Sequence, residues 1–179
     1  TTTEEAINDK IGRALNRSWT DFAFFAGASP ENVAALKSLE QLPGVSGVKM
    51  FMGSSTGSLL VSDDKDVLRV LKSGNRRVAV HCEDEGRLRE RISMVSDGAP
   101  VAMHAEWRDA ETALRATTRL LRFAREAGRR VHTLHISTAD EMVLLRDNRD
   151  IATVEVLPQH LTLSAPEAYE RLGTLAQQN

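Results

Sequence analysis

Cysteine is almost absent from this chain: Cys82 is the only one among 179 residues. A single thiol excludes an intrachain disulfide, and the expected compartment is a reducing cytoplasm. An excess of either charge is also lacking, since 23 basic and 25 acidic residues give a net charge of −2. That balance offers no electrostatic footprint for nucleic acid or a membrane surface. Long hydrophobic runs are missing too: no stretch approaches the roughly 18 apolar residues of a membrane span, and no signal-type apolar region opens the chain. A soluble, cytoplasmic protein is expected. No internal repeat, low-complexity tract or linker divides the sequence, so residues 1–179 are read as one segment of ordinary domain size. The first residue is Thr1 rather than methionine, which suits a processed product or part of a longer chain.

What is present is an alternation of strand-like and helix-like stretches. Thr2 and Glu5 have the spacing of a capping box, and Ala6, Ile7, Ile11 and Leu15 follow at helical intervals, predicting a helix of about fifteen residues. An apolar run from Asp21 to Gly27 reads as a strand, and Ser29-Pro30 as the start of a helix through Leu42. Strands follow around Lys49, His81, His135 and Val154, separated by helices from Asp63, Glu85, Asp109 and Ala139, with a last helix from Pro166. Gly128 is the expected C-cap of the longest helix, and His104 is expected in a loop before it. Five strands alternating with helices predict an α/β fold of parallel strands with right-handed crossovers. An open doubly wound sheet and a barrel both satisfy that pattern. A complete (β/α)8 barrel needs eight strands and typically about 250 residues, so about three strands would lie outside this sequence.

Three strand-like segments each carry a metal-capable side chain near the C-terminal end: Lys49, His81 and His135. In a parallel barrel those ends converge on one face, where active sites are built. Alternation along the third segment groups Thr133, His135 and Ser137 on one face and His132, Leu134 and Ile136 on the other, so only one of the two histidines is a ligand candidate. His135 is nearer the strand end, and His132 is expected to pack toward the helices or lie partly exposed. Lone strand histidines are more often hydrogen-bonded core residues, and a lone strand lysine more often sits at an edge. Lys49 is different because Val48, Met50, Phe51 and Met52 surround it, as in a strand buried on both faces. A buried ammonium is costly and its pKa falls readily. The neutral amine can capture carbon dioxide as a carbamate, which is an anionic ligand for two cations. Cys82 is expected to be a buried, inert thiol.

Four motifs, Gly47 to Gly57, His81-Cys82-Glu83-Asp84-Glu85, Leu134-His135-Ile136-Ser137-Thr138-Ala139-Asp140-Glu141 and Glu155-Val156-Leu157-Pro158-Gln159-His160-Leu161, resemble in order and spacing those of the dihydroorotase branch of the cyclic amidohydrolases. Hydantoinases and allantoinases are similar at the same points. The resemblance implies a partial (β/α)8 TIM barrel of the metal-dependent hydrolase type, with this chain supplying approximately strands three to seven. It implies one or two divalent metals, usually zinc, with Lys49 as the carboxylated bridging ligand and His81 and His135 as histidine ligands. It further implies hydrolysis or cyclisation of a cyclic amide, interconverting dihydroorotate and carbamoyl aspartate in pyrimidine synthesis, on a small-molecule substrate and in a homo-oligomer (dimer or tetramer). A hydantoinase or allantoinase, or a noncatalytic scaffold of the same superfamily, are the alternatives. The family's His-x-His pair, its substrate arginine and its general-base aspartate have no counterpart here, so no catalytic base is assigned. The 179 residues alone are therefore expected to be inactive, and their strand edges prone to association. Gly53 to Ser58 lacks the Gly-Lys-Ser/Thr ending of a phosphate loop and is read as the loop after a barrel strand, near the substrate.

Overall fold

The computed structural model describes residues 1–55, 57 and 59–178, and the sequence reading of the 53–58 loop therefore lies partly outside the described residues. The chain begins with α1 (Glu4–Ala14) and β1 (Phe24–Gly27), then a 3-10 turn and the short α2 (Leu36–Leu39) lead to β2 (Val45–Phe51). α3 (Asp64–Lys72), β3 (Val78–His81), α4 (Glu85–Arg91), α5 (Met103–Trp107) and α6 (Ala110–Ala127) follow. β4 (Val131–Thr133), α7 (Ala139–Arg146), β5 (Ala152–Val154), α8 (Pro158–Thr162) and α9 (Glu167–Leu172) complete the order. All five strands among the described residues form one parallel sheet in sequence order, as the alternation of strand and helix predicts. Among the described residues no helix is long and apolar enough to cross a membrane.

The core lies between the sheet and its helices. Val48, Met50, Val78, Val80 and Val131 point from one face of the strands and are fully buried against Leu36, Val67, Val70, Leu71, Leu120 and Ala124. The helices form where amphipathic spacing coincides with a cap. Asp63 caps α3 by accepting the Lys65 N–H, and Asp109 caps α6 by accepting the Thr112 N–H at 3.0 Å. Gly128 closes α6 at φ 63°, a left-handed conformation that a side chain would strain. Asp109 also binds Arg87, which holds its carboxyl well below the usual carboxylate range. Its folded pKa is depressed, so its contribution is present above the unfolded pKa near 4 and is lost as pH falls through the lower folded value. Asp109→Ala is expected to cost about 1–2 kcal/mol at pH 7, a loss that urea titration would register and that shrinks in strong acid.

Several boundaries differ from the sequence reading. Thr3, not Thr2, caps α1, accepting the Ala6 N–H at 3.3 Å, and Leu15 lies just past the helix, exposed. The helix expected through Leu42 is reduced to a 3-10 turn and one α-turn. The cause is Asn32: its Oδ1 accepts the Ser29 N–H, while its Nδ2 donates to the carbonyls of Thr2 and Gly27. That side chain organises residues 29–32 as a turn in place of a proline-initiated helix. His104 lies in α5 rather than in a loop.

Candidate active site at the strand ends

β2 and β3 pair with Lys49 opposite Ala79 and Phe51 opposite His81. These four side chains therefore share the face turned away from the helices. β3 pairs with β4 so that Ala79 lies opposite His132. His132 is thus on the same face as Lys49, and Thr133, fully buried, is on the helix side. This reverses the face assignment expected from simple alternation. His132 binds Thr153 Oγ1 through Nδ1 at 2.8 Å, below the strand ends.

His135 reaches the site by a different route. β4 ends at Thr133, and His135 itself adopts φ 42°, so the period-two alternation stops before it. The positive φ turns its ring back toward β3. His135 Nε2 then lies 3.1 Å from His81 Nδ1, with the two rings edge to face and their centroids 4.9 Å apart. The turn is held by Glu155, just beyond β5, whose carboxylate accepts the His135 N–H at 2.9 Å. A left-handed non-glycine residue is uncommon, and a backbone bond of this kind is what sustains one.

Lys49 is half-buried, and its ammonium stands 4.2 Å over the Phe51 ring. Burial pushes its pKa down to about 8, opposed by weaker pulls from Cys82 and Glu155. His135 is pushed down to about 4 by burial, then by His81 and Lys49. Its imidazole is therefore neutral at physiological pH, the form that ligates a metal. Cys82 is buried and pushed up to about 12 by burial and then by the neighbouring Glu141, which makes it the inert thiol expected.

His81 is 2% exposed and fixed at both ring nitrogens. Nδ1 faces His135, and Nε2 lies 2.8 Å from Glu83 Oε2. Glu83, Glu155 and Arg108 were given no role by sequence reasoning. Glu83 had a readable signal, because it follows His81 by two positions; Arg108 had none, since its partner is 25 residues away. His81, His135, Glu83 and Arg108 open onto a cavity of about 810 Å³ that also receives His104, His160 and Tyr169. His104 Nδ1 pairs with the Tyr169 hydroxyl at 2.9 Å, and His160 Nδ1 is buried with no hydrogen-bond partner among the described residues. A second groove of about 610 Å³ lies between α2 and α3, lined by Leu68 and the exposed stems of Lys37 and Lys65, and shares no residue with the histidine cluster.

The donor set suits a metal in part. Two ligand atoms of a tetrahedral zinc with bonds near 2.0–2.1 Å stand roughly 3.3 Å apart, close to the 3.1 Å between the facing histidine nitrogens. A desolvated lysine on the adjacent strand is the third candidate. Among the described residues, histidine, cysteine, aspartate and glutamate alone form no group of three able to hold a metal ion. Any complete shell built here therefore needs Lys49 or groups beyond these residues.

No family model matches the chain. It is 26% identical over its whole length to a dihydroorotase of Methanosarcina mazei, covering 41% of that protein. It is 29% identical over 96% of its length to an allantoinase of Deinococcus radiodurans, covering 40%. A solved L-hydantoinase (dihydropyrimidinase) from Arthrobacter aurescens superposes on 99% of the chain with a TM-score of 0.88 at 24% identity, and 41% of that enzyme is covered. The chain thus spans about two fifths of the length of the relatives it matches, and its five-stranded sheet corresponds to part of a TIM barrel. Along nearly all of its length the chain is a homologue of the cyclic amidohydrolases that include dihydroorotases, allantoinases and hydantoinases.

Proposed function

We propose that these residues form barrel strands three to seven of a metal-dependent cyclic amidohydrolase, and that Lys49, His81 and His135 are its metal ligands on this segment. The observation carrying the reading is the facing pair His81 Nδ1 and His135 Nε2, with the desolvated Lys49 one strand away. Lys49, with its pKa near 8, has a neutral fraction at physiological pH able to add carbon dioxide and become an anionic carbamate. His81 and His135 present imidazole nitrogens, the ordinary donors for zinc. Paired divalent ions in such a site would lower the pKa of a bound water and polarise the carbonyl it attacks. The chain's own part is to hold the ligands neutral or anionic at the strand ends, with the Lys49 amine set against the Phe51 ring.

The substrate proposed is a cyclic amide or imide, with dihydroorotate and its open form, carbamoyl aspartate, as the leading pair. Allantoin and hydantoins are the second reading, supported by relatives and neighbours of both kinds at similar identity. The full-length protein, loaded with Zn2+, should hydrolyse one of dihydroorotate, allantoin and hydantoin, and a chelator should abolish that turnover. A polypeptide of these 179 residues alone should show no turnover, because they provide neither a His-x-His pair nor an assigned general base. Metal-loaded full-length protein inert toward all three compounds would contradict the proposal.

A further inference from the structure

Glu83 and Arg108 take no part in the scheme above, yet they are built into it. Glu83 Oε2 accepts from His81 Nε2 at 2.8 Å and also from Arg108 Nη1. The same guanidinium donates through Nη2 to the Ser54 carbonyl at 2.8 Å, just beyond β2, and lies 4.5 Å over the Trp107 ring. Ser54 is held in turn by Glu85, whose Oε2 accepts its N–H at 2.7 Å and its hydroxyl at 2.6 Å. Arg108 thus ties the end of the strand carrying Lys49 to the end of the strand carrying His81.

The tie is tight from both sides. A Cβ at Gly53 would come within 2.7 Å of both Glu83 Cβ and the Glu83 carbonyl oxygen, so the end of β2 packs directly on Glu83 and leaves it no slack. Arg108 has a side chain only 8% exposed, and its Nε is buried with no hydrogen-bond partner among the described residues. Keeping a buried donor unsatisfied is costly, and an apolar residue could fill the same space more cheaply. What an apolar residue cannot supply is a planar fork reaching a carboxylate and a carbonyl at once.

We propose that Arg108 is a positioning residue that acts through Glu83 to fix the His81 ring, placing the proton on Nε2 and the Nδ1 lone pair toward His135. With Nε2–H donated to Glu83, only the lone pair of Nδ1 remains to face its neighbour. The consequence for metal binding rests on the reading of His81 as a ligand; the tautomer itself does not. Both terminal nitrogens of Arg108 are already engaged, one by Glu83 and one by the Ser54 carbonyl.

The test uses full-length protein labelled with 15N in its histidine rings, without metal, together with a Zn2+ competition titration against a chromophoric chelator. Wild type should show His81 protonated at Nε2 alone. Arg108→Met and Glu83→Ala should mix the tautomers and weaken Zn2+ binding by about 10–100-fold, and Arg108→Lys should restore part of both. Arg108→Met with the wild-type tautomer and affinity overturns the proposal, as does a variant that loses only thermal stability. Should Arg108→Met be too unstable to study, Arg108→Lys carries the same readouts, and wild-type behaviour in it for both tautomer and affinity would overturn the two-point tie. If wild type binds no Zn2+ while its tautomer depends on Arg108, the metal assignment fails and the positioning role stands.

Discussion

Lys49→Met in the full-length protein should lower turnover by on the order of 10³-fold or more, the scale for removing a group that supports developing charge in a dry site. The same substitution should make the metal-free protein more stable at neutral pH. Both effects follow from one placement. Lys49 sits on β2 between fully buried Val48 and Met50, over the Phe51 ring, and burial pushes its pKa down to about 8. The ammonium is thus disfavoured in the folded state relative to the unfolded chain, where lysine titrates near 10.4. Because the folded value is the lower one, metal-free wild type gains stability as pH rises from about 8 toward that unfolded value. Methionine carries no such proton, so the advantage of the variant should be full at pH 7 and shrink by pH 10. Melting temperatures in carbon-dioxide-free buffer would register this, and a variant less stable than wild type at pH 7 would count against a desolvated Lys49.

Glu40→Ala should destabilise the protein by about 3–5 kcal/mol, the range for stripping one partner from a buried ion pair. Glu40 is 0% exposed and binds Arg129, itself 3% exposed, at 2.6 Å. Its other oxygen accepts the backbone N–H groups of Asn75 at 2.6 Å and Arg76 at 3.2 Å, while Arg129 Nε donates to the Arg76 carbonyl. The pair therefore joins the end of α2 to the entries of β3 and β4, at the opposite ends of the strands from the histidines. Activity per folded molecule should be unchanged. A double variant, Glu40→Leu with Arg129→Met, should recover much of the loss, because no unpaired charge remains buried. Denaturant titration of the single and double variants measures the coupling, and a single-variant loss below about 1 kcal/mol would be inconsistent with a closed pair.

The contrast between these two ends explains what the sequence could convey. Periodicity and capping residues are local signals, so the strand and helix order, the helix starts at Asp63 and Asp109, the Gly128 cap and the desolvation of Lys49 were legible. The order of motifs carried the likeness to cyclic amidohydrolases because it spans the whole chain. Features set by distant partners were not legible. Asn32 cut short a helix by binding Thr2, thirty residues back, and Arg129 meets a glutamate 89 positions away. Parity set His135 and His132 on opposite faces and nearness to the strand end favoured His135, whereas the register of β4 puts His132 on the Lys49 face. It stands beside His81 because the strand ends early and Glu155 supports a positive φ, a backbone choice that no side-chain pattern records.

The central claim is that Lys49, His81 and His135 belong to one metal centre. Anomalous scattering at the zinc edge, measured on crystals of the full-length protein, tests it directly. The account predicts a peak within about 2.0–2.1 Å of both His81 Nδ1 and His135 Nε2, with density for a carbamate on Lys49 beside it. A zinc peak remote from both histidines, with Lys49 unmodified, would contradict it.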